Sequence, residues 1–289
     1  MAETADVVQL DRILHSGLMD KAEALLLEKL DYENEGSFER LGNLYRQQGK
    51  LSQAAGIYDL WAEKFPQSNK ARYFSDIFNQ RPLSVEWSAG RFVPTPFIVK
   101  DDFLSPAFHD ELIRFAIESR ERFKPSELLE KQNGKWESKR YPELHNSTHI
   151  NLSKDLKPRF LAEVAKFLPS IGRQDYVPAC AAGAPFMIHH GDGNFFAGHT
   201  DKYDSEEPGI SLVYLFAGPE KGFTGGANVF YDTNVENNDC DCNSFTLLPF
   251  ADNRLVVFPG KHYHGVLPVR CADNRFENGR FSLVTFLDA

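Results

Sequence analysis

Phe196-Ala197-Gly198-His199-Thr200-Asp201 sets a histidine and a carboxylate two residues apart, and the chain answers much later with His264 and then Arg280-Phe281-Ser282. On an extended strand alternate side chains share a face, so His199 and Asp201 point at one centre together. Two imidazoles and one carboxylate on one side of a metal ion leave the opposite coordination positions open to other ligands. A single His-x-Asp is weak evidence for such a site. The order carries the argument: His-x-Asp, a strand at Gly225-Gly226, a distal histidine, then Arg-x-Ser.

The surrounding segments are short and extended. Residues 185–190, 210–216, 227–231, 244–249, 254–259, 265–269 and 280–287 read as strands between Gly, Asn and Asp turns, in a β-rich stretch that begins at Val177. So many strands with no helix between them predict a jelly roll or double-stranded β-helix, the cupin-type barrel, whose interior holds a metal and a small acid. Upstream, residues 91–93 and 97–99 also read as strands. Ser105 is a plausible N-cap, with Pro106 in the first turn of a helix running to about Arg122. A second helix covers 154–168 and ends at Pro169. Residues 124–146, with Lys131, Lys135, Lys139 and Arg140, are polar and aperiodic, and read as a lid or binding loop.

Residues 11–79 carry a helical period instead. Leu10, Ile13, Leu14 and Leu18, then Ala22, Leu25, Leu26 and Leu30, recur at the spacing of one apolar face. Leu41-Gly42, Tyr45, Gly49, Ala54, Tyr58 and Pro66 fall on the small, aromatic and terminating positions of a tetratricopeptide repeat, and Gly17, Ala22 and Leu26 echo part of them. The region resembles one good repeat preceded by a degenerate one. Fewer than three such units rarely stand alone, so it is expected to brace the rest of the chain or to dock a protein partner or peptide. Pro82, Pro94 and Pro96 break the period over 83–96 and mark a boundary. The expected class is therefore α+β: a small all-α, tetratricopeptide-like region over 1–80, then a catalytic domain with flanking helices over 81–289.

Composition narrows the function. The chain is 42% hydrophobic and 13% aromatic, with 24 Phe, which is ample for a buried core. A formal charge of -9 and a pI near 5.5 argue against a general nucleic-acid binder or a protein of anionic membrane surfaces. No apolar run resembles a signal peptide or is long enough to span a bilayer. A soluble, cytoplasmic protein with neither nucleic-acid nor membrane partner is expected. Four cysteines make no disulfide framework in 289 residues, and Cys240-Asp241-Cys242 reads as two reduced loop thiols.

From about Phe92 onward the sequence resembles the Fe(II)/2-oxoglutarate dioxygenases of the prolyl-4-hydroxylase type. The likeness is carried by His190-Gly191-Asp192-Gly193-Asn194-Phe195 leading to His199-Thr200-Asp201, then Val213-Tyr214-Leu215, Thr224-Gly225-Gly226, Phe258-Pro259, His264-Gly265-Val266-Leu267-Pro268-Val269 and Arg280-Phe281-Ser282-Leu283. It implies that His199, Asp201 and His264 hold Fe(II), the arrangement of the non-haem oxygenases. It implies 2-oxoglutarate as cosubstrate, chelating the metal at one end and meeting Arg280 at the other, where a planar guanidinium suits paired charge-assisted hydrogen bonds. Ser282 and Tyr214 are expected on the same carboxylate, and Gly225-Gly226 in a turn where backbone passes close by.

Two features depart from the family pattern. His190 stands where the family often has Tyr, so His190, or neighbouring His189, is expected to contact cosubstrate or substrate. The interval from His264 to Arg280 is long, and 271–279 reads as a loop insertion, with Arg270 and Arg275 as weaker anchor candidates. His262 and His264 share a face in an extended segment, so spacing alone leaves the distal ligand open. The resemblance favours His264, which directly precedes Gly-Val-Leu-Pro. His262, Asn228 and Arg140 are the weaker candidates for contact with substrate, and His15, His109 and His145 read as structural.

The implied reaction is O2-dependent hydroxylation of an unactivated C–H bond, releasing succinate and CO2. The expected substrate is an amino-acid side chain, prolyl or other, on a free, peptidyl or carrier-tethered residue. Halogenases of this class lack the carboxylate ligand, so Asp201 speaks for hydroxylation. Two competing readings remain. A cupin-type metal isomerase or hydrolase has no need of Arg280 and Ser282, and a non-catalytic binding module has no need of three converging ligands.

Overall fold

The computed structural model describes residues 18–132, 134–171, 181–182, 184–201 and 209–288. Leu10, Ile13, Leu14 and Gly17 of the helical pattern, His15, and the strand onset at Val177 lie outside the described residues. The described chain falls into two units, one reaching to Asn79 and taking in Leu83–Trp87, the other holding Gln80–Pro82 and the chain from Ser88.

In the first unit α1 (Met19–Glu28), α2 (Glu35–Gln47), α3 (Leu51–Lys64) and α4 (Asn69–Phe78) follow one another. Asn34 caps α2 by accepting from the Gly36 N–H, and Ser68 caps α4 by accepting from the Ala71 N–H. The chain turns between α2 and α3 at Gly49, whose φ of +72° an L side chain resists. Gly42 admits α3: a Cβ there would lie 2.3 Å from Cε1 of Tyr58. Tyr58 is fully buried, packs on Phe74 and Phe78, and donates its hydroxyl to Asn43.

The second unit opens with β1 (Ile98–Lys100) and α5 (Pro106–Glu118), whose first turn is capped by the Ser105 hydroxyl accepting from the Phe108 N–H. It continues through β2 (Lys124–Pro125), β3 (Leu128–Gln132), β4 (Lys135–Lys139), β5 (His145–Asn146), β6 (Thr148–Asn151) and α6 (Leu156–Phe167). Then come β7 (Ala181–Ala182), β8 (Phe186–His190), β9 (Phe195–His199), β10 (Ile210–Ala217), β11 (Phe223–Gly225) and β12 (Asn228–Asn234). The chain closes with β13 (Asp239–Leu248), β14 (Arg254–Pro259), β15 (His264–Val266), β16 (Val269–Cys271) and β17 (Arg280–Asp288). The larger sheet runs β1-β14-β10-β17-β8-β6-β2, with β7 beside β17, and the smaller runs β13-β12-β15-β9-β5. Every pairing in both is antiparallel among the described residues.

Strand parity gives the larger sheet two different faces. Tyr214 and Phe216 lie opposite Leu283 and Phe281, and with Leu212 they join Phe108 and Leu112 of α5 and Phe160 and Val164 of α6 in the main apolar core. The other face carries Val213 opposite Val284 and Leu215 opposite Ser282, with Arg280 opposite His190 one strand over. That face looks across a cavity at the smaller sheet. With both sides covered, all eight residues of β10 are buried.

Several expectations are corrected. Residues 124–146 are not a structureless loop, because β3 and β4 pair as a ribbon whose polar residues hide any alternation. Cys240 and Cys242 lie on β13 rather than in a loop, with free thiols 3.8 Å apart. In 91–93 only Val93 pairs, by a bridge to Thr233. The 271–279 insertion is packed: Phe276 sits against Phe123, His189 and Phe281. No helix among the described residues is long and apolar enough to cross a membrane.

Gly42→Val is expected to destabilise the helical unit by about 1–3 kcal/mol, because the buried Tyr58 ring has to move. Gly56→Ala, where an added Cβ meets nothing within 4 Å, is expected to be neutral or stabilising by about 0.5–1 kcal/mol. Chemical denaturation followed by circular dichroism compares the two.

Candidate metal centre

Three side chains converge between the sheets. One ligand atom each of His199, Asp201 and His264 lies within 4.8 Å of the others. β15 pairs with β9 so that His264 stands opposite His199, with a bulge next to that pair. Strand β9 ends at His199, so Asp201 is positioned by the segment beyond it rather than by strand alternation. Its N–H donates to the Gly260 carbonyl at 2.8 Å, and its Oδ2 accepts from the Ser211 hydroxyl at 2.5 Å. Gly260 leaves the room: a Cβ there would lie 3.2 Å from the Asp201 Cβ.

The imidazoles are oriented by backbone. His199 Nδ1 donates to the Ala197 carbonyl and His264 Nδ1 to the His262 carbonyl, both at 2.9 Å. A carbonyl only accepts, so in each ring Nε2 is the nitrogen left to face Asp201. Those Nε2 atoms stand 3.5 and 3.3 Å from the carboxylate oxygens. Burial opposes charge on Asp201, yet the facing His264 and His199 outweigh it and hold the carboxyl well below the usual carboxylate range. Burial likewise disfavours charge on His264, but Asp201 overrides it and raises that imidazole. Burial and the neighbouring His264 lower His199. An ionised carboxylate between two imidazole nitrogens is a donor set for a divalent transition metal, which takes the place of a proton.

Arg280 stands deeper in the same cavity, fully buried on β17. Its Nε donates to the Gly226 carbonyl at 2.9 Å and one terminal nitrogen to Asn228 Oδ1 at 3.0 Å. The other terminal nitrogen is buried with no partner among the described residues. Burial alone pulls the guanidinium down to about 9, which still leaves it protonated at neutral pH. Gly226 makes this approach possible: its φ is +64°, and a Cβ would lie 2.8 Å from the Arg280 Cδ. A buried cation with an unused donor fits a small acid that brings its own carboxylate.

The other expected residues divide. His190 and Ser282 line the cavity, and both ring nitrogens of His190 lack a partner among the described residues. Burial, then Arg280, holds His190 far below an ordinary imidazole. Asn228 lines the cavity too, but its amide oxygen is engaged by Arg280. Tyr214 is not on this face. Strand parity turns it to the helix-covered side, where its hydroxyl meets His109 at 2.6 Å and donates to Asn253 at 2.9 Å. His262 is buried but absent from the cavity wall, and Arg140 is exposed beyond the ribbon. Arg275 pairs at the surface with Asp273 and Glu220. His189 lies off the cavity, its Nε2 donating to the Phe276 carbonyl at 2.9 Å.

His145, read as structural, lines the cavity. It stands on β5 opposite Phe196, a pairing between strands about fifty residues apart that no local pattern announces. Burial first, then His199 and His149, holds its ring neutral, down to about 3.

Residues 185–288 match the family described as the 2OG-Fe(II) oxygenase superfamily. The chain carries a 2OG-Fe(II) oxygenase domain. A protein of Synechocystis described as an uncharacterised PKHD-type hydroxylase is 25% identical over 206 residues, which span 70% of this chain and 66% of the relative. Among solved structures, a Pseudomonas putida prolyl-4-hydroxylase superposes with a TM-score of 0.49 at 14% identity, covering 67% of this chain and 92% of that one. A Trichoplax adhaerens prolyl hydroxylase bound to a hypoxia-inducible-factor peptide gives 0.49 at 12%, covering 66% and 83%. This family uses Fe(II), 2-oxoglutarate and O2, and the oxygenase domain's His-Asp-His group with a buried arginine behind it suits that set.

Two measurements check this geometry. Tyr214→Phe is expected to leave 2-oxoglutarate affinity within about two-fold while costing about 1–2 kcal/mol of stability, because it strips a buried network. Burial also pulls His189 down to about 4. The unfolded imidazole takes a proton below about 6.5, whereas the folded one resists until about 4, so stability falls as pH drops through that window. His189→Phe is expected to remove up to about 3 kcal/mol from the stability difference between pH 7 and pH 4, read by urea denaturation at each pH.

Proposed function

We propose that the protein hydroxylates an unactivated C–H bond of an amino-acid side chain, prolyl or other, using O2 and 2-oxoglutarate. The observation that carries the proposal is Arg280: a fully buried guanidinium with a free donor among the described residues, opening on the same cavity as the His-Asp-His group. An isomerase or hydrolase of the cupin type has no use for that charge.

Fe(II) held by His199, Asp201 and His264, with 2-oxoglutarate and O2, supplies the oxidation that converts C–H to C–OH and releases succinate and CO2. The chain supplies position. Backbone carbonyls of Ala197 and His262 fix both imidazoles with Nε2 inward, and the Ser211 hydroxyl, donating to Asp201 Oδ2, holds the carboxylate that would join them on the metal. Arg280 receives the far carboxylate of the cosubstrate, its fork held in plane by Gly226 and Asn228. Ser282 and His190 stand beside it as further partners for that acid. Phe186, Ile188, Val213 and Val284 line the cavity with apolar surface and limit water around the reacting carbon.

The two facing antiparallel sheets support a double-stranded β-helix, with the catalytic domain over 81–289. The close approach of α2 and α3 at Gly42 and Tyr58, and the packing of Tyr58 on Phe74 and Phe78 of α4, support a tetratricopeptide-like region over 1–80, acting as a brace or as a dock for a protein partner.

Anaerobic titration of the Fe(II)-loaded protein with 2-oxoglutarate is expected to produce a visible metal-to-ligand charge-transfer band, and admission of air to produce succinate. No band and no succinate would overturn the proposal. Arg280→Ala is expected to weaken 2-oxoglutarate by about 30-fold or more while leaving Fe(II) affinity within about two-fold. Equal loss of both would contradict its role.

A further inference from the structure

The Cys240-Asp241-Cys242 run has no part in the chemistry above. Both cysteines are free thiols on β13, an end strand of the smaller sheet among the described residues. On a regular strand, side chains two positions apart share a face and stand about 6.6 Å from one another. β13 is not regular here. It sets Cys240 opposite Thr233 and Asp241 opposite Asp232, then resumes with Phe245 opposite Tyr231, so Cys242, Asn243 and Ser244 have no opposite number on β12. Two hydrogen bonds fix this bulge. The Asn243 N–H donates to Asp241 Oδ1 at 2.9 Å, and the Ser244 hydroxyl donates to Asp232 Oδ2 at 2.8 Å. A bulge re-aims side chains, and at this one the two sulfurs stand 3.8 Å apart.

That spacing is the bite of a single metal ion. Two thiolates, each about 2.3 Å from a tetrahedral Zn(II), stand about 3.8 Å from one another. A disulfide would need the sulfurs drawn in to about 2.05 Å. The surroundings favour a cation as well. Burial, then the neighbouring Cys242, then Asp239 and Asp241 raise the Cys240 thiol, and every charge among these is negative. A thiol that keeps its proton is slow in disulfide exchange, whereas a divalent ion takes the place of the protons and answers the negative charge. Tyr231 and Tyr263 are the other titratable groups that feel both thiols. Strand parity sets this place apart from the His-Asp-His group: Phe230 faces His264, so Tyr231 beside the thiols faces the other way. Neither cysteine lines the cavity. Thiolates are soft donors, so the two places select different metals.

We propose that Cys240 and Cys242 form a second metal site, at which both thiolates chelate one thiophilic divalent ion of the Zn(II) class on the β12–β13 hairpin, with solvent in its remaining positions. Binding converts two thiols and one ion into a dithiolate complex and releases their protons. The test is anaerobic titration of the full chain with Cd(II), followed by thiolate-to-metal charge-transfer absorption in the ultraviolet. The other two cysteines, Cys271 and Cys180, the latter outside the described residues, are first changed to serine. The His-Asp-His group has no sulfur and contributes no such band. The band is expected to saturate at one ion per chain, with half-saturation at about 10 µM or below. Zn(II) is expected to displace Cd(II), and excess Mg(II) to leave it in place. Calorimetry is expected to show about two more protons released per chain than from the same protein carrying Cys240→Ser and Cys242→Ser. Either of those substitutions alone is expected to weaken Cd(II) about ten-fold or more. The proposal is overturned if no band appears, if either single serine variant binds Cd(II) as tightly as its parent, or if one ion saturates two chains, which assigns the thiols to a bridge between copies. None of these readings involves 2-oxoglutarate, so the hydroxylase proposal stands or falls separately.

Discussion

A guanidinium in a protein interior has to be met by acceptors or by negative charge, and the architecture of the second unit follows from how Arg280 is met. Two of its donors are taken by the Gly226 carbonyl and by Asn228. Both acceptors lie where the chain enters β12, and β12 pairs with β15 so that Phe230 stands opposite His264. The turn that receives the arginine is therefore in register with the strand that carries a candidate metal ligand. On its other side β17 pairs with β8, which brings His190 beside Arg280. The buried guanidinium is tied by its side chain to the start of β12, and β12 by backbone hydrogen bonds to the strand of His264; such a register does not slip by one residue without turning every side chain to the opposite face.

That parity also decides which neighbours take part in chemistry. Val213 and Tyr214 are adjacent in sequence, yet one lines the cavity and the other closes a buried network with His109 and Asn253. The helices α5 and α6 cover the second face, so a polar group there is paid in hydrogen bonds to the scaffold rather than to a ligand. The β3–β4 ribbon is a different case. It pairs with no other strand among the described residues, and Leu129 at its edge is 50% exposed. Few buried contacts mean low local stability. The ribbon's root nonetheless reaches the cavity through Ser126, Ser147 and His145.

Much of this was legible in the residues themselves. Alternating apolar runs announced most of the strands, and Gly42, Tyr45, Gly49 and Tyr58 announced paired helices, because local backbone geometry and periodicity are written over a few neighbouring positions. The ordered set from His199 to Ser282 pointed to residues that do line one cavity, with His199, Asp201 and His264 converging and Arg280 buried beside them. The segments missed were those whose pattern is weak or whose partner is distant. A polar ribbon has no apolar stripe, and β5 is two residues long.

The sequence by itself determined the residue types available to the site and the strands that carry them. Only the tertiary structure decided which way each one faces: that Asp201 is aimed by Gly260 and Ser211 rather than by strand alternation, that Tyr214 turns away, and that His145 turns in. The reason is physical. Composition and spacing act along the chain, whereas register, bulges and the pairing of distant strands set the direction of a side chain through hydrogen bonds that no local window contains.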